Sequence, residues 1–223
     1  MNETREKWAN PDAVGFLLCG FYLFLSAPSL MGLVGQEAGL AALPIGLMIL
    51  LGLCFVVAAC YRNGDVFGVT MNTMLGIVLI GSVNLAGIQS LMMQALHWEK
   101  TASWLEISKI VDGMSFLIFG LVLFVGAVVI ARRLRFLALS FTAAGLGMLL
   151  MALSLLGVLP MRVFPWGGGL VSQLSLALLY AGAALLLQEC LGRSILPLGS
   201  AMFTEKTEKK KDSDLYMRNL EEE

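Results

Sequence analysis

Long apolar runs without charges constrain this chain more than any other feature. There are six of them, at about residues 12–34, 40–61, 66–96, 113–131, 134–159 and 170–191. A bilayer core is crossed by about 20 predominantly apolar residues in an α-helix. Each run therefore predicts one spanning helix, and the third is long enough to tilt or to extend past the bilayer. Asp12, Asp65, Asp112 and Glu189 stand at run ends, His97 lies at the edge of the third, and no charged residue occupies the middle of any run. Of the 223 residues, 58% are hydrophobic and 14% are charged. A soluble domain, with about a quarter of its residues charged, needs a far more polar coat. The fold expected is an all-α integral membrane protein, a bundle of six transmembrane helices per protomer.

The connectors read as loops: "GQEAG", "YRNGDVFG", "HWEKTASWLEISKIVDG", "RRLR" and "PMRVFPWGGG". Residues 1–11 form an N-terminal segment, 12–200 the transmembrane domain and 201–223 a tail without apolar periodicity, expected to be disordered. Twelve of the 15 Lys and Arg residues fall on the side of the two termini; Lys100, Lys109 and Arg162 fall on the other. Basic residues stay in the cytoplasm, so both termini are expected there, in the cytoplasmic (inner) membrane. The first run is too long for a signal peptide and lacks a small-residue cleavage site, which predicts a retained helix. Trp98, Trp104 and Trp166 suit the outer headgroup layer. Residues 98–111, with Trp104, Ile107 and Val111 on one face, predict a short helix lying on the membrane.

Polar and small residues recur within the runs. The first has Gly15, Cys19, Tyr22, Ser26 and Ser29; the third has Thr70, Asn72, Thr73, Gly76, Ser82, Asn84, Gln89, Ser90 and Gln94. Close helix packing accounts for many of these positions. The third run carries more polar groups than packing requires, which points to a narrow, mostly uncharged passage through the protomer. Neither a nucleophile–base pair nor a metal cluster is visible, so no catalytic residue, metal, cofactor or nucleic-acid partner is expected. Cys19, Cys54, Cys60 and Cys190 lack C-x-x-C spacing and read as small apolar fillers.

Three stretches resemble one family. "ANPDAVGF" is similar to the N-P-A-P-L-G opening of the acetate uptake transporters, also called succinate–acetate permeases. "YRNGDVFGVTMNTMLG" resembles that family's connector between the second and third spans, and "ECLGRSILPLG" its closing E-x-F-G-R-T-V-L-P-I-G. "ARRLRFLALSFT" also fits, and the resemblance covers about residues 8–200. It implies a six-helix protomer with its own pore, assembled as a homo-hexamer in the lipid bilayer, moving acetate, succinate or a related small carboxylate. Asn10, Pro11 and Gly15 match the opening. Gly64, Phe67, Gly68, Thr70 and Gly76 match the connector, and Glu189, Gly192, Arg193, Leu196, Pro197 and Gly199 the closing motif. Arg193 reads as a structural anchor.

The departures place this chain among divergent members. Asp12 and Ala13 replace a small residue and the second proline of the opening, and "APSL" replaces a polar stretch at the end of the first span. Asp65 stands for Asn, Met74 and Leu75 for Ser-Tyr, Cys60 for Glu and Leu185 for an acidic residue. The aromatic ring that narrows the family's pore aligns with Cys19 and Leu75. The candidate pore set is Asn10, Pro11, Asp12, Gly15, Cys19, Tyr22, Phe67, Thr70, Asn72, Thr73, Leu75 and Gly76, with Gly64, Gly68, Glu189, Gly192, Arg193 and Pro197 as structural motif residues. A channel for a small neutral solute, and a transport-inactive sensor or scaffold, are the alternatives. "NPD" itself suits a helix start, with Asn10 as cap, Pro11 at the first position and Asp12 at the positive end of the dipole.

Overall fold

The structure is a computed structural model that describes residues 11–34, 37–76, 80, 88, 91–92, 95, 102–132, 134–192 and 196–197. Its helices are α1 (Pro11–Leu30), α2 (Glu37–Asn63), α3 (Val66–Met74), α4 (Ala102–Ala131), α5 (Arg135–Leu155) and α6 (Phe164–Leu191), the last preceded by a 3₁₀ turn at Met161–Val163. Five stretches are long and apolar enough to cross a membrane: Pro11–Leu30, Ala42–Asn63, Glu106–Ala131, Arg135–Leu155 and Met161–Leu191. The chain is an all-α, multi-pass membrane protein. Of the expected third span, α3 is its beginning, and most of the remainder lies outside the described residues, as do Asn10, His97, Trp98, Arg193 and the tail.

The helices close into a ring. α1 packs on α2 and α6, α2 on α3, α5 on both α4 and α6. Met71 of α3 and Phe141 of α5 both lie against Gly126 of α4, 3.2 and 3.3 Å from where its Cβ would stand. Tyr22, Leu23, Leu53, Phe119, Phe141, Met148, Met151, Leu174 and Leu178 fill the interior. Outside, Leu51 and Phe55 of α2 and Val125 and Val128 of α4 are exposed. Such an apolar surface is a liability in water, and in a bilayer it is the face that lipid or another protomer covers.

Glycines let the backbones approach. A Cβ on Gly147 of α5 would stand 2.6 Å from the Gly167 carbonyl oxygen of α6, and one on Gly167 would stand 2.6 Å from the Gly147 carbonyl oxygen. A Cβ on Gly168 would collide with the Leu30 carbonyl of α1. Small residues at such crossings gain van der Waals contact where lipid supplies no hydrophobic drive.

The expected surface helix at 98–111 takes a different form. From Ala102 onwards the segment is the first part of α4, which runs unbroken through Asp112 and Gly113. Gly113 is buried against α5, where its Cβ would meet Leu156 Cγ at 2.9 Å and the Ala152 carbonyl oxygen at 3.3 Å. That packing holds the helix across a pair of residues with poor helix propensity. Ile107 and Val111 are exposed, as is Trp166 in the first turn of α6.

Candidate functional site

The site forms where α1 begins, α2 ends and α3 begins. Pro11, the first residue of α1, is buried, and Asp12 follows in the first turn. Its carboxylate sits where a helix dipole favours negative charge. On α2, Cys60 lies in the last turns with no exposed surface. The chain then turns at Gly64, whose φ of 74° a side chain would strain. The Asp65 N–H donates to the Cys60 carbonyl at 2.9 Å, and the Asp65 carbonyl accepts from Val69 N–H at 3.0 Å. Asp65 occupies the cap position of α3, yet its carboxylate makes no capping hydrogen bond.

Three side chains from three segments meet here. One oxygen each of Asp12 and Asp65 and the Cys60 Sγ all lie within 4.8 Å of one another. Gly68, on the first turns of α3, provides the room, since a Cβ there would collide with Asp65 Oδ2 and stand 2.8 Å from Cys60 Sγ. Asn72, one turn further and only 4% exposed, forms the floor. Its Nδ2 donates to the Gly68 carbonyl at 2.8 Å and approaches Cys60 Sγ at 4.0 Å. Its Oδ1 faces Gly15 of α1, where a Cβ would stand 2.6 Å away. Gly15 and Gly68 thus serve polar side chains rather than backbone contact.

Some members of the candidate set join this arrangement and others do not. Pro11, Asp12, Gly15, Gly68 and Asn72 lie together. Cys19, Tyr22 and Leu75 are buried in the apolar core, with Phe67 packed against it. From Leu75 to Gly76 the helix widens into a π turn, a local geometry frequent at functional positions. Gly76 is buried against Leu50 and Leu53 of α2. Thr73 is half-buried.

Thr70 does not converge with Asn72. Gly68, Met71, Asn72 and Leu75 are buried, whereas Thr70 is exposed like Val66, with its hydroxyl donating to the Val66 carbonyl at 2.8 Å. With 3.6 residues per turn, positions 66 and 70 share a face that positions 68 and 72 do not. The residues missing from the candidate set are Cys60 and Asp65. Their five-residue spacing about "RNG" was the available signal, but its meaning depends on Asp12, which is remote in sequence.

At the closing motif, Gly192 caps α6 in the left-handed conformation, φ 65°. The Tyr180 hydroxyl donates to the Pro197 carbonyl at 2.9 Å, and its ring meets Phe136 edge-on at 5.5 Å. These contacts pin residues 196–197 against α5 and α6. Glu189 is exposed in the last turn.

Inside the bundle, Ser140, Ser154 and Ser175 are buried. Their hydroxyls donate to Phe136, Leu150 and Ser172 carbonyls at 3.0, 2.8 and 2.6 Å. With their hydrogens committed to their own helices, these oxygens keep only acceptor capacity.

In sequence, the chain matches no family model and no curated protein. In structure it is similar to a solved chain, the bacterial acetate channel SatP, with a TM-score of 0.70 at 20% identity, covering 86% of this chain and 100% of that one. At that identity the likeness establishes a shared fold.

Proposed function

We propose that this protein is a transporter or channel for small carboxylates, acetate-like monocarboxylates above all and succinate as a further substrate. One observation carries the reading: the fold is shared along the full length of a chain whose name is that of an acetate channel. The opening and connector motifs, with Asp12, Gly15, Gly68 and Asn72, come together at one end of the bundle. In this reading the protein is a homo-hexamer in the cytoplasmic membrane, with both termini in the cytoplasm, and performs no catalysis. The substrate crosses within each protomer.

The chemistry favours the undissociated acid. Stripping water from a carboxylate costs several kcal/mol even after relaxation, and it needs hydrogen-bond donors in return. The buried serines offer acceptors instead, which suit the O–H of a neutral acid. Asp12 and Asp65 at the mouth repel an anion and leave a neutral acid unaffected.

Uptake of radiolabelled acetate into liposomes containing the purified protein tests the proposal. Saturable uptake, absent from empty liposomes, is expected. The rate should rise about tenfold per pH unit between pH 7 and pH 6, following the undissociated fraction of an ordinary carboxylic acid. Transport of urea, glycerol or formamide without any short acid overturns it and leaves the neutral-solute channel, the reading that the two mouth carboxylates also favour. Absence of all transport leaves the sensor or scaffold.

A further inference from the structure

We infer that Asp12, Cys60 and Asp65 form a binding site for a thiophilic divalent cation of the zinc class, at the end of the bundle where α1 begins. The sequence shows no such site because its donors come from the first turn of α1, the last turns of α2 and the connector into α3. Three observations carry the inference independently of what the bundle transports.

The first is the donor set. Two carboxylate oxygens and one sulfur lie within 4.8 Å of one another. Bonds of about 2.0–2.3 Å in a tetrahedron place donors roughly 3.3–3.8 Å apart, so closure requires about an ångström of movement. Asp65, half-buried and making no capping hydrogen bond, can supply it by side-chain rotation, while Cys60 is fully enclosed and serves as the fixed point. Thiolate with carboxylate selects zinc or cadmium over calcium or magnesium, which prefer all-oxygen shells.

The second is a buried thiol set against carboxylates. Cys60 is completely buried, and its sulfur accepts a long contact from Asn72 Nδ2 at 4.0 Å. The same sulfur faces the two carboxylates. A buried apolar filler is not expected to have acidic neighbours, since like charges brought close need a proton or a cation between them.

The third is space. Gly68 makes room for Cys60 Sγ and Asp65 Oδ2 to approach the same point, which the methyl of an alanine would occupy. Asn72 behind the sulfur, tied to the Gly68 carbonyl at 2.8 Å, limits retreat of the thiol. Three protein donors leave the fourth position of a tetrahedral ion to water.

The test uses the full chain purified in detergent, stripped with a chelator and titrated with Zn²⁺ by equilibrium dialysis. A parallel titration with Cd²⁺ reads the ultraviolet thiolate-to-metal charge-transfer band. One ion per chain is expected, with the band present. Cys60→Ser should abolish the band, and both Cys60→Ser and Asp65→Asn should weaken Zn²⁺ binding by at least about tenfold. Asn is a good helix cap, so Asp65→Asn keeps the test valid if Cys60→Ser fails to fold. Cys54→Ser and Cys190→Ser, on exposed positions, should retain both signals. Absence of saturable binding overturns the inference and means that a proton or a cationic side chain balances the carboxylates. Binding that survives Asp65→Asn, or a band that survives Cys60→Ser, overturns it equally. The readout is binding, so a failure of acetate transport leaves it untouched.

Discussion

The crossings of α6 with α5 and α1, and the corner between α1, α2 and α3, both depend on glycine, in opposite ways. At the crossings, the missing Cβ atoms let backbones touch: Gly147 and Gly167 each face the other's carbonyl, and Gly168 faces that of Leu30. At the corner, the missing Cβ atoms of Gly15 and Gly68 admit side chains, the Asn72 amide in one case and Cys60 and Asp65 in the other. The contrast separates two uses of small residues in a membrane protein. One supplies packing where lipid provides no hydrophobic drive. The other holds open a polar pocket that a methyl group would close.

Substitutions to alanine distinguish the two. Gly168→Ala should have the largest effect on stability, because the new methyl meets backbone that cannot rotate away; a loss of about 2–3 kcal/mol is expected from unfolding in detergent. Gly169→Ala is its control, having nothing within 4 Å of its Cβ, and should be neutral or slightly stabilising. Gly68→Ala should cost less, about 1 kcal/mol, since alanine's helix propensity offsets part of the displacement of the Asp65 and Cys60 side chains. It should nevertheless eliminate the Cd²⁺ thiolate band. A Gly68→Ala chain that unfolds like Gly168→Ala would erase the distinction.

Smaller effects sharpen the picture of the corner. Asp12→Ala should leave acetate uptake within about twofold, because the undissociated acid is not repelled by a carboxylate at the mouth. A rise of about fivefold that shrinks in added salt, the relief of about 1 kcal/mol of repulsion, would mean that the anion enters. Thr70→Val should leave uptake within about twofold, because its hydroxyl is bound to its own helix. A large loss there would mean that the Val66 and Thr70 face of α3 borders the passage.

Much of the fold was legible because a bilayer imposes one simple requirement, enough apolar residues in a row. Five predicted spans appear as helices, and Gly64 and Gly192 end theirs with positive φ. The prediction of a separate surface helix at 98–111 relied on local amphipathicity, whereas Gly113 packing on α5 decided that α4 runs through. Polar composition grouped Thr70, Asn72 and Thr73, although helical periodicity already places Thr70 and Asn72 on different faces. Cys60 read as a filler because cysteine in an apolar run usually is one.

The sequence alone determined that this chain spans a membrane several times and which five stretches supply its long apolar helices. These properties follow from hydropathy along one helix. Only the tertiary structure decided that Asp12, Cys60 and Asp65 share one pocket, that Asn72 closes it, and that Gly15 and Gly68 make room for it. Those relations join segments whose distance along the chain carries no information about their distance in space. The helix crossings set that distance, to within the width of a methyl group.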